Sequence, residues 1–208
     1  MKHEIGTIIA ASFWEAEAIK VSVNKPFTLT SGKPSPFYVD CRVLISYPTY
    51  RDMITTCAYW LCEQHKLQAD YIAGGESAGI PFAAWLADRM KKPFIYVRKQ
   101  PKGHGLTSQV EGKIEPGKTV LLYEDLITDG KSKLNFITGI RKDNCIVTDC
   151  LVVFDRQEGG QDALQEEGVR LHSLVTMDEC LDVGFKNRYL SQEELELINA
   201  YRQTGEIR

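Results

Sequence analysis

The chain has 208 residues, 43% of them hydrophobic, which suits one α/β domain spanning residues 1–208 and makes a second independent domain unexpected. The formal net charge of −3 gives no general attraction to nucleic acid or to an acidic membrane, so any anion-binding site has to be local. The sequence contains no run of 18 apolar residues, and no charged N-terminal segment precedes a long apolar run, so we expect a cytoplasmic protein with no membrane partner.

The six cysteines predict reduced core residues. They form no CxxC pair, and most of them lie in apolar segments. None is paired with a histidine at the spacing of a zinc site, so we expect neither a disulfide framework nor a protein-held metal.

The N-terminal third predicts two helices that flank a hairpin. Apolar side chains recur at helical spacing over residues 4–20, which indicates an amphipathic helix. Residues 20–47 contain two apolar runs separated by Gly32 and by prolines, so we expect a hairpin with its turn at SGKPSP. A second helix is predicted over residues 48–65, with proline in its first turn.

The stretch YIAGGESAGIPFAAWLADRM predicts a strand, a glycine-rich turn and a helix. The strand covers residues 71–73, the turn covers residues 74–79, and the helix continues to Met90. Glycines let a backbone approach a ligand closely, although many ordinary strand-to-helix turns are also rich in glycine. A further strand is predicted over residues 94–97.

Residues 99–114 predict a long loop, because the segment is polar and shows no convincing periodicity. A cationic cluster opens this loop in a chain that is acidic overall; its members are Arg98, Lys99, Lys102 and His104. Such a cluster is either a solvated charged run or a mobile lid that stabilises a departing anion. We favour the lid, because the loop follows a strand of the predicted sheet.

The stretch VLLYEDLITDGKS, residues 120–132, predicts a buried parallel strand that ends in two acids and turns into a helix. The exposed N–H groups of a helix N-terminus bind phosphate, and the hydroxyls of Thr128 and Ser132 add donors. Glu124 and Asp125 would repel a simple anion, but they suit a ligand that also carries hydroxyls or Mg²⁺, such as a phosphorylated sugar. The alternative is an ordinary turn in which the acids cap the helix. We favour the sugar phosphate, because strand, acid pair and Thr-x-Gly-x-Ser occur together.

The C-terminal third predicts two more strands and a helix. A strand over residues 145–154 ends in DRQEGG, where Arg156 either begins a turn or binds an anion. The last strand is predicted over residues 170–175. A helix follows Ser191, whose spacing from a glutamate indicates a capping box.

Four separated segments resemble those of type I phosphoribosyltransferases, and orotate phosphoribosyltransferases in particular. The acid pair and its loop are similar to the motif that binds 5-phosphoribosyl 1-diphosphate (PRPP), and RKxxKxHG is similar to the catalytic lid. FTLTSG followed by SPFYVDCR resembles the hood over the pyrimidine, and DRQE resembles the segment whose arginine binds the carboxylate of orotate. Thr30 and Ala78 stand where relatives often carry basic residues.

The resemblance implies an open, mostly parallel α/β sheet flanked by helices, with a hood over about residues 20–47 and a lid over about 98–114. It implies transfer of phosphoribosyl from PRPP to orotate in pyrimidine biosynthesis, with Mg²⁺ held mainly by the diphosphate, in a homodimer whose subunits share lid residues. The implied catalytic residues are Lys102, His104 and Asp125, and the implied orotate contacts are Thr128, Arg156 and Tyr38. The implied PRPP contacts are Arg98, Lys99, Lys102, His104, Glu124, Asp125, Leu126, Ile127, Thr128, Asp129, Gly130, Lys131 and Ser132.

Two other functions are compatible with a PRPP-binding motif. A purine phosphoribosyltransferase would need a different base pocket and gives no reason for Arg156. A PRPP-sensing regulator without catalysis should lack the lid cations and usually carries a nucleic-acid-binding module; the sequence shows the cations and no such module.

Overall fold

The structure is a computed structural model that describes residues 2–29, 32–101 and 108–206, with side chains from residue 4 onward. The strands, in chain order, are β1 (Ile19–Val21), β2 (Phe27–Thr28), β3 (Pro34–Ser35), β4 (Phe37–Val39), β5 (Tyr71–Gly75), β6 (Phe94–Val97), β7 (Val110–Glu111), β8 (Thr119–Ile127), β9 (Ile146–Asp155) and β10 (Arg170–Thr176). The helices are α1 (Lys2–Glu15), α2 (Pro48–Gln64), α3 (Gly79–Met90), α4 (Lys131–Lys142), α5 (Gly160–Glu166), α6 (Met177–Lys186) and α7 (Gln192–Thr204).

The central sheet has the strand order β10-β9-β8-β5-β6-β7, and its neighbours are parallel except for β6 and β7. Side chains of β8 alternate between its two faces, so Leu121 and Tyr123 join one apolar core while Val120 and Leu122 join another. The first core lies under α1, α2 and α3, and the second lies under α4 and α5. Burial on both faces explains why these strands are continuous apolar runs. The predicted open, mostly parallel α/β sheet is confirmed.

The hood region consists of two short antiparallel ladders outside the central sheet. β1 pairs with β4, and β2 pairs with β3. The β2–β3 turn contains Gly32 at φ +80°, a left-handed conformation that glycine adopts without strain. The predicted hairpin is therefore confirmed, although β3 begins at Pro34, inside the stretch predicted as its turn. A 3₁₀-helix at Cys41–Ser46 leads from the hood to α2.

The prediction of a first helix to residue 20 is wrong at its C-terminal end. The helix ends at Glu15, because Glu17 adopts φ +53° and the Ala18 N–H bonds the Phe13 carbonyl at 2.8 Å. This bond is the one that closes a helix in a Schellman motif, and Ile19 then begins β1.

The prediction that residues 99–114 contain no regular structure is also wrong in part. Val110 and Glu111 pair with Val97 and Tyr96 as an antiparallel edge strand. This pairing joins residues far enough apart that a local pattern gives no sign of it.

The cysteine prediction is confirmed, since all six are free thiols; five are buried and Cys57 is half-buried. Across the described ranges, no helix combines the length and the apolar character needed to span a bilayer.

Candidate active site

The turns that follow β5 and β8 lie at the same end of the sheet, because the two strands are parallel neighbours. Tyr71 is in register with Val120, and Ile127 is in register with Asp155. Parallel strands end at the same edge, and this is where open α/β sheets bind their ligands.

A cavity of about 230 Å³ opens at this edge, between the β8–α4 loop and the hood. The loop side of the cavity carries both donors and acids, which suits a ligand with phosphate and hydroxyl groups. The lining residues are Val39, Asp40, Cys41, Arg42, Ala78, Asp125, Leu126, Thr128, Asp129, Gly130, Ser132 and Lys133.

The start of α4 is shaped by Gly130 and Asp129. Gly130 takes φ +83° as the N-cap residue, and the Asp129 carboxylate accepts the Lys131 N–H at 3.1 Å. Lys131 Nζ also lies 2.9 Å from Asp129 Oδ2, and its hydrogen bond lowers the pKa of Asp129. Asp129 and Lys131 therefore form an ion pair with each other at the protein surface, beside the predicted phosphate-binding loop.

The acid pair is split between two environments, because neighbouring residues of a strand point to opposite faces. Asp125 lines the cavity, and burial raises its pKa, although the Lys133 ammonium acts against this shift. Glu124 is only 3% exposed and is not among the residues that line the cavity. Its Oε2 lies 3.0 Å from Lys133 Nζ, and its Oε1 accepts the Gly75 N–H at 2.7 Å.

Glycines of the β5–α3 turn make room for the Glu124 carboxylate. A Cβ at Gly79 would overlap Glu124 Oε1; a Cβ at Gly75 would overlap the Phe136 ring of α4 and would also lie 2.6 Å from Glu124 Oε1. The sequence suggested that these glycines allow close approach of a ligand; in the structure they also make room for side chains of β8 and α4. The turn also contains a cis peptide between Glu76 and Ser77.

Leu126 and Ile127 complete β8 without offering polar side chains. Leu126 lines the cavity, whereas the Ile127 side chain is fully buried and its carbonyl accepts the Arg156 N–H at 3.0 Å. Ile127 at the end of β8 is in register with Asp155 at the end of β9. The residues that follow them, Thr128 and Arg156, therefore lie side by side.

Arg156 is buried under the hood at 6% exposure. Its guanidinium lies 4.9 Å from the ring centroid of Phe37, an arrangement that favours a cation–π contact. Glu158 Oε1 lies 2.8 Å from both Nε and Nη2 of Arg156. Only the bond from Nε is aligned, and Nη2 is buried without a hydrogen-bond acceptor among the described residues.

Tyr38 points away from Arg156, because neighbouring side chains of β4 lie on opposite faces of the strand. Phe37 faces Arg156 and packs edge-on against Tyr201 of α7, whereas Tyr38 packs against Phe27 at 6.0 Å. The Tyr38 hydroxyl accepts a hydrogen bond from Arg42 Nη2 at 3.2 Å. Of the two hood aromatics, Phe37 is therefore the one in contact with the predicted carboxylate-binding arginine.

The start of the basic loop is attached to the β5–α3 turn and to helix α4. The Lys99 N–H donates to Glu76 Oε2 at 2.9 Å, and the Lys99 carbonyl accepts Asn135 Nδ2 of α4 at 2.9 Å. Arg98 Nη1 lies 3.6 Å from Glu111 Oε1 across the β6–β7 ladder.

Two predicted catalytic residues, Lys102 and His104, lie outside the described residues. No group of three or more histidine, cysteine or acidic side chains in the described ranges is arranged to hold a metal ion.

Sequence reasoning missed Lys133, although a signal was present. Lys133, Phe136, Ile137 and Ile140 share one apolar face of α4, and a lysine on such a face indicates a buried acidic partner. Arg42 was also missed; it lines the cavity from the hood and forms a bidentate pair with Asp40.

Comparison with known proteins agrees with this geometry. The family model "Phosphoribosyl transferase domain" matches residues 46–178. An orotate phosphoribosyltransferase of Rhizobium etli is 40% identical over 196 residues, which cover 93% of this chain and 86% of the relative. The chain belongs to the orotate phosphoribosyltransferase family.

Solved structures share this fold. Orotate phosphoribosyltransferase from Aeropyrum pernix superposes with a TM-score of 0.76 at 31% identity, covering 88% of this chain and 99% of that one. Leishmania donovani UMP synthase gives a TM-score of 0.83 at 25% identity, covering 95% of this chain but only 42% of the Leishmania chain. The predicted type I phosphoribosyltransferase fold is thus confirmed.

Proposed function

We propose that the protein transfers the 5-phosphoribosyl group of PRPP to orotate, giving orotidine 5′-monophosphate and pyrophosphate in pyrimidine biosynthesis. One observation carries the choice of orotate: Arg156 is a buried guanidinium, beside Thr128 at the carboxyl ends of the strands, and its Nη2 has no aligned acceptor in the described part of the chain. Arginine binds planar carboxylates through two parallel hydrogen bonds, and orotate carries such a group on a flat ring. The Phe37 ring in contact with Arg156 adds an apolar surface to this position.

The β8–α4 loop is proposed to bind PRPP. Thr128, Gly130 and Ser132 offer hydroxyl and backbone donors to the 5′-phosphate at the N-terminus of α4. Asp125, which lines the cavity, would accept hydrogen bonds from the ribose hydroxyls. The Glu124 carboxylate is already bound by Lys133 Nζ and the Gly75 N–H, so Glu124 would support Asp125 from beneath the cavity.

Catalysis is proposed to rest on charge stabilisation and positioning, with no covalent enzyme intermediate. Bond breaking at C1 of the ribose leaves a cationic sugar and an anionic diphosphate. Lid cations Arg98, Lys99, Lys102 and His104 would stabilise the diphosphate, and closure of the lid would exclude water.

Mg²⁺ is proposed to bind mainly through the diphosphate, whose charge it neutralises. The hard carboxylate oxygens of Asp125 and Asp129 at the cavity fit such an ion. We further propose a cytoplasmic homodimer in which the lid of one subunit serves the site of its partner.

The test is an assay of PRPP and Mg²⁺ with orotate, adenine and hypoxanthine as separate acceptors. We expect turnover with orotate alone. Turnover of a purine would refute the choice of base, and bound PRPP without turnover of any base would indicate a regulator.

The Arg156→Ala variant distinguishes orotate recognition from PRPP binding. We expect orotate use to be impaired by about 10- to 100-fold in kcat/KM, because a charged, bidentate contact is lost, while PRPP binding survives. Isothermal titration with PRPP and steady-state kinetics with orotate measure the two effects. Unaltered orotate kinetics would remove this assignment.

Lys102→Ala tests the lid. We expect turnover to fall far more than orotate affinity, since the lysine would act on charge that develops in the transition state. Equal losses in the two quantities would argue against the lid role.

A further inference from the structure

The Glu158 carboxylate takes part of the place that a substrate carboxylate would use on Arg156. One oxygen of Glu158 lies 2.8 Å from two guanidinium nitrogens, but only the bond to Nε is aligned. A ligand carboxylate can give a separate oxygen to each nitrogen. The internal contact therefore compensates the buried charge while leaving the guanidinium fork partly unused.

The backbone that carries Glu158 is held firmly, whereas its side chain is not enclosed. The Gln157 N–H donates to Asp155 Oδ1 at 2.8 Å, and the Gln157 amide exchanges hydrogen bonds of 2.9 Å each with the Asp178 carboxylate and N–H. The Glu158 side chain is 34% exposed, but that of Arg156 is only 7% exposed. Rotation of the Glu158 side chain would thus leave Arg156 and the loop in place.

A neighbouring cavity offers Glu158 a second position. It has a volume of about 450 Å³ and is lined by Gln157, Glu158, Asn199, Arg202 and Gln203. Arg202 reaches its wall from α7, where its Nη1 lies 2.6 Å from Asp178 Oδ1. A carboxylate that leaves Arg156 can therefore move toward another guanidinium.

We propose that Glu158 is an exchangeable counter-ion that sets the enzyme's affinity for a carboxylated base. It holds Arg156 in the ligand-free enzyme, and the orotate carboxylate replaces it on binding. The inference rests on the proposed function, because it takes orotate as the ligand. An exchange of one carboxylate for another keeps the Arg156 charge compensated throughout, but it makes orotate compete with an internal group.

Glu158→Gln tests this competition, since glutamine keeps the shape and an acceptor oxygen but removes the charge. We expect the KM for orotate to fall about two- to fivefold, as befits a partly exposed ion pair, with kcat and the KM for PRPP unchanged. Inhibition by uracil, which lacks the carboxylate, should be unaltered. The matched control is Glu166→Gln, which removes an exposed acid from α5 and should change none of these values.

An unchanged or raised KM for orotate in a Glu158→Gln variant with the wild-type Tm would overturn the proposal. A crystal structure of the wild-type enzyme with orotate gives a second test that needs no variant. Glu158 should have left hydrogen-bonding distance of Arg156, and an intact Glu158–Arg156 pair would refute the exchange. Failure of the proposed function looks different, because the wild-type enzyme would then neither bind nor consume orotate.

Discussion

At the scale of single residues, Lys133 has the most demanding environment of the site. Its side chain is 7% exposed and lies 3.0 Å from Glu124, whose side chain is 4% exposed. Burial of either charge alone costs several kcal/mol, so each ion is tolerated because the other is present. Burial works to lower the pKa of Lys133, but Glu124 and Asp125 outweigh it and the pKa is raised.

Lys133→Met should lower the free energy of unfolding by about 3–5 kcal/mol, because it leaves a buried carboxylate without its partner. Urea denaturation at pH 7 measures the change. The double variant Lys133→Met with Glu124→Gln removes both charges and should recover part of the loss. A single variant as stable as the wild-type protein would contradict the assignment of a buried ion pair.

At the scale of elements, the site depends on two turns that share one side chain. Glu124 belongs to β8, but it bonds the Gly75 N–H and fills the space beside Gly79, at the start of α3. The β5–α3 turn is therefore shaped by the neighbouring strand as well as by its own sequence.

Gly79→Ala is expected to act against the usual helix preference. Alanine in place of glycine in a helix normally stabilises by about 1 kcal/mol. Here the added Cβ would overlap Glu124 Oε1, so we expect a loss of about 1–3 kcal/mol, as for overpacked cores, and weaker PRPP binding. Thermal unfolding and titration with PRPP test this, and a stabilised variant would show that Glu124 can move aside.

The sequence predicted the elements of this site better than their contacts. The β5 and β8 strands and the two helices after them follow from local hydrophobic runs and from glycine, and all were found close to the expected bounds. The β7 strand and the Glu124–Lys133 pair depend on residues distant in sequence or on separate elements, so a local pattern does not define them. The seven-residue helix α5 was also missed, because it is too short for a clear helical period.

At the scale of the whole molecule, a second polar cluster lies near the amino ends of β9 and β10, at the end of the sheet opposite to the candidate site. Asp149 accepts hydrogen bonds from Thr148 and Arg170, and His172 Nε2 lies 2.7 Å from its Oδ1. Burial lowers the pKa of His172, although Asp149 favours the charged ring. The folded state therefore prefers the neutral ring more than the unfolded state does.

This preference makes stability depend on pH. A histidine whose pKa is lowered on folding contributes stability above its unfolded pKa of about 6.5, and this contribution is lost as the pH falls through the folded value. We expect the free energy of unfolding to decrease from pH 7 to pH 5, and His172→Gln should reduce the slope. Urea titrations at both pH values measure it; equal slopes in the two proteins would exclude His172 as the source.

The Glu124 carboxylate has an evolutionary consequence. Gly79 makes room for it and Lys133 compensates its charge, so a change at one of these three positions alters what is permitted at the other two. A family member with a smaller, uncharged residue in place of Glu124 would have no need of the lysine and would lose the overlap that excludes alanine at Gly79. Gly79, Glu124 and Lys133 should therefore vary together among homologous sequences.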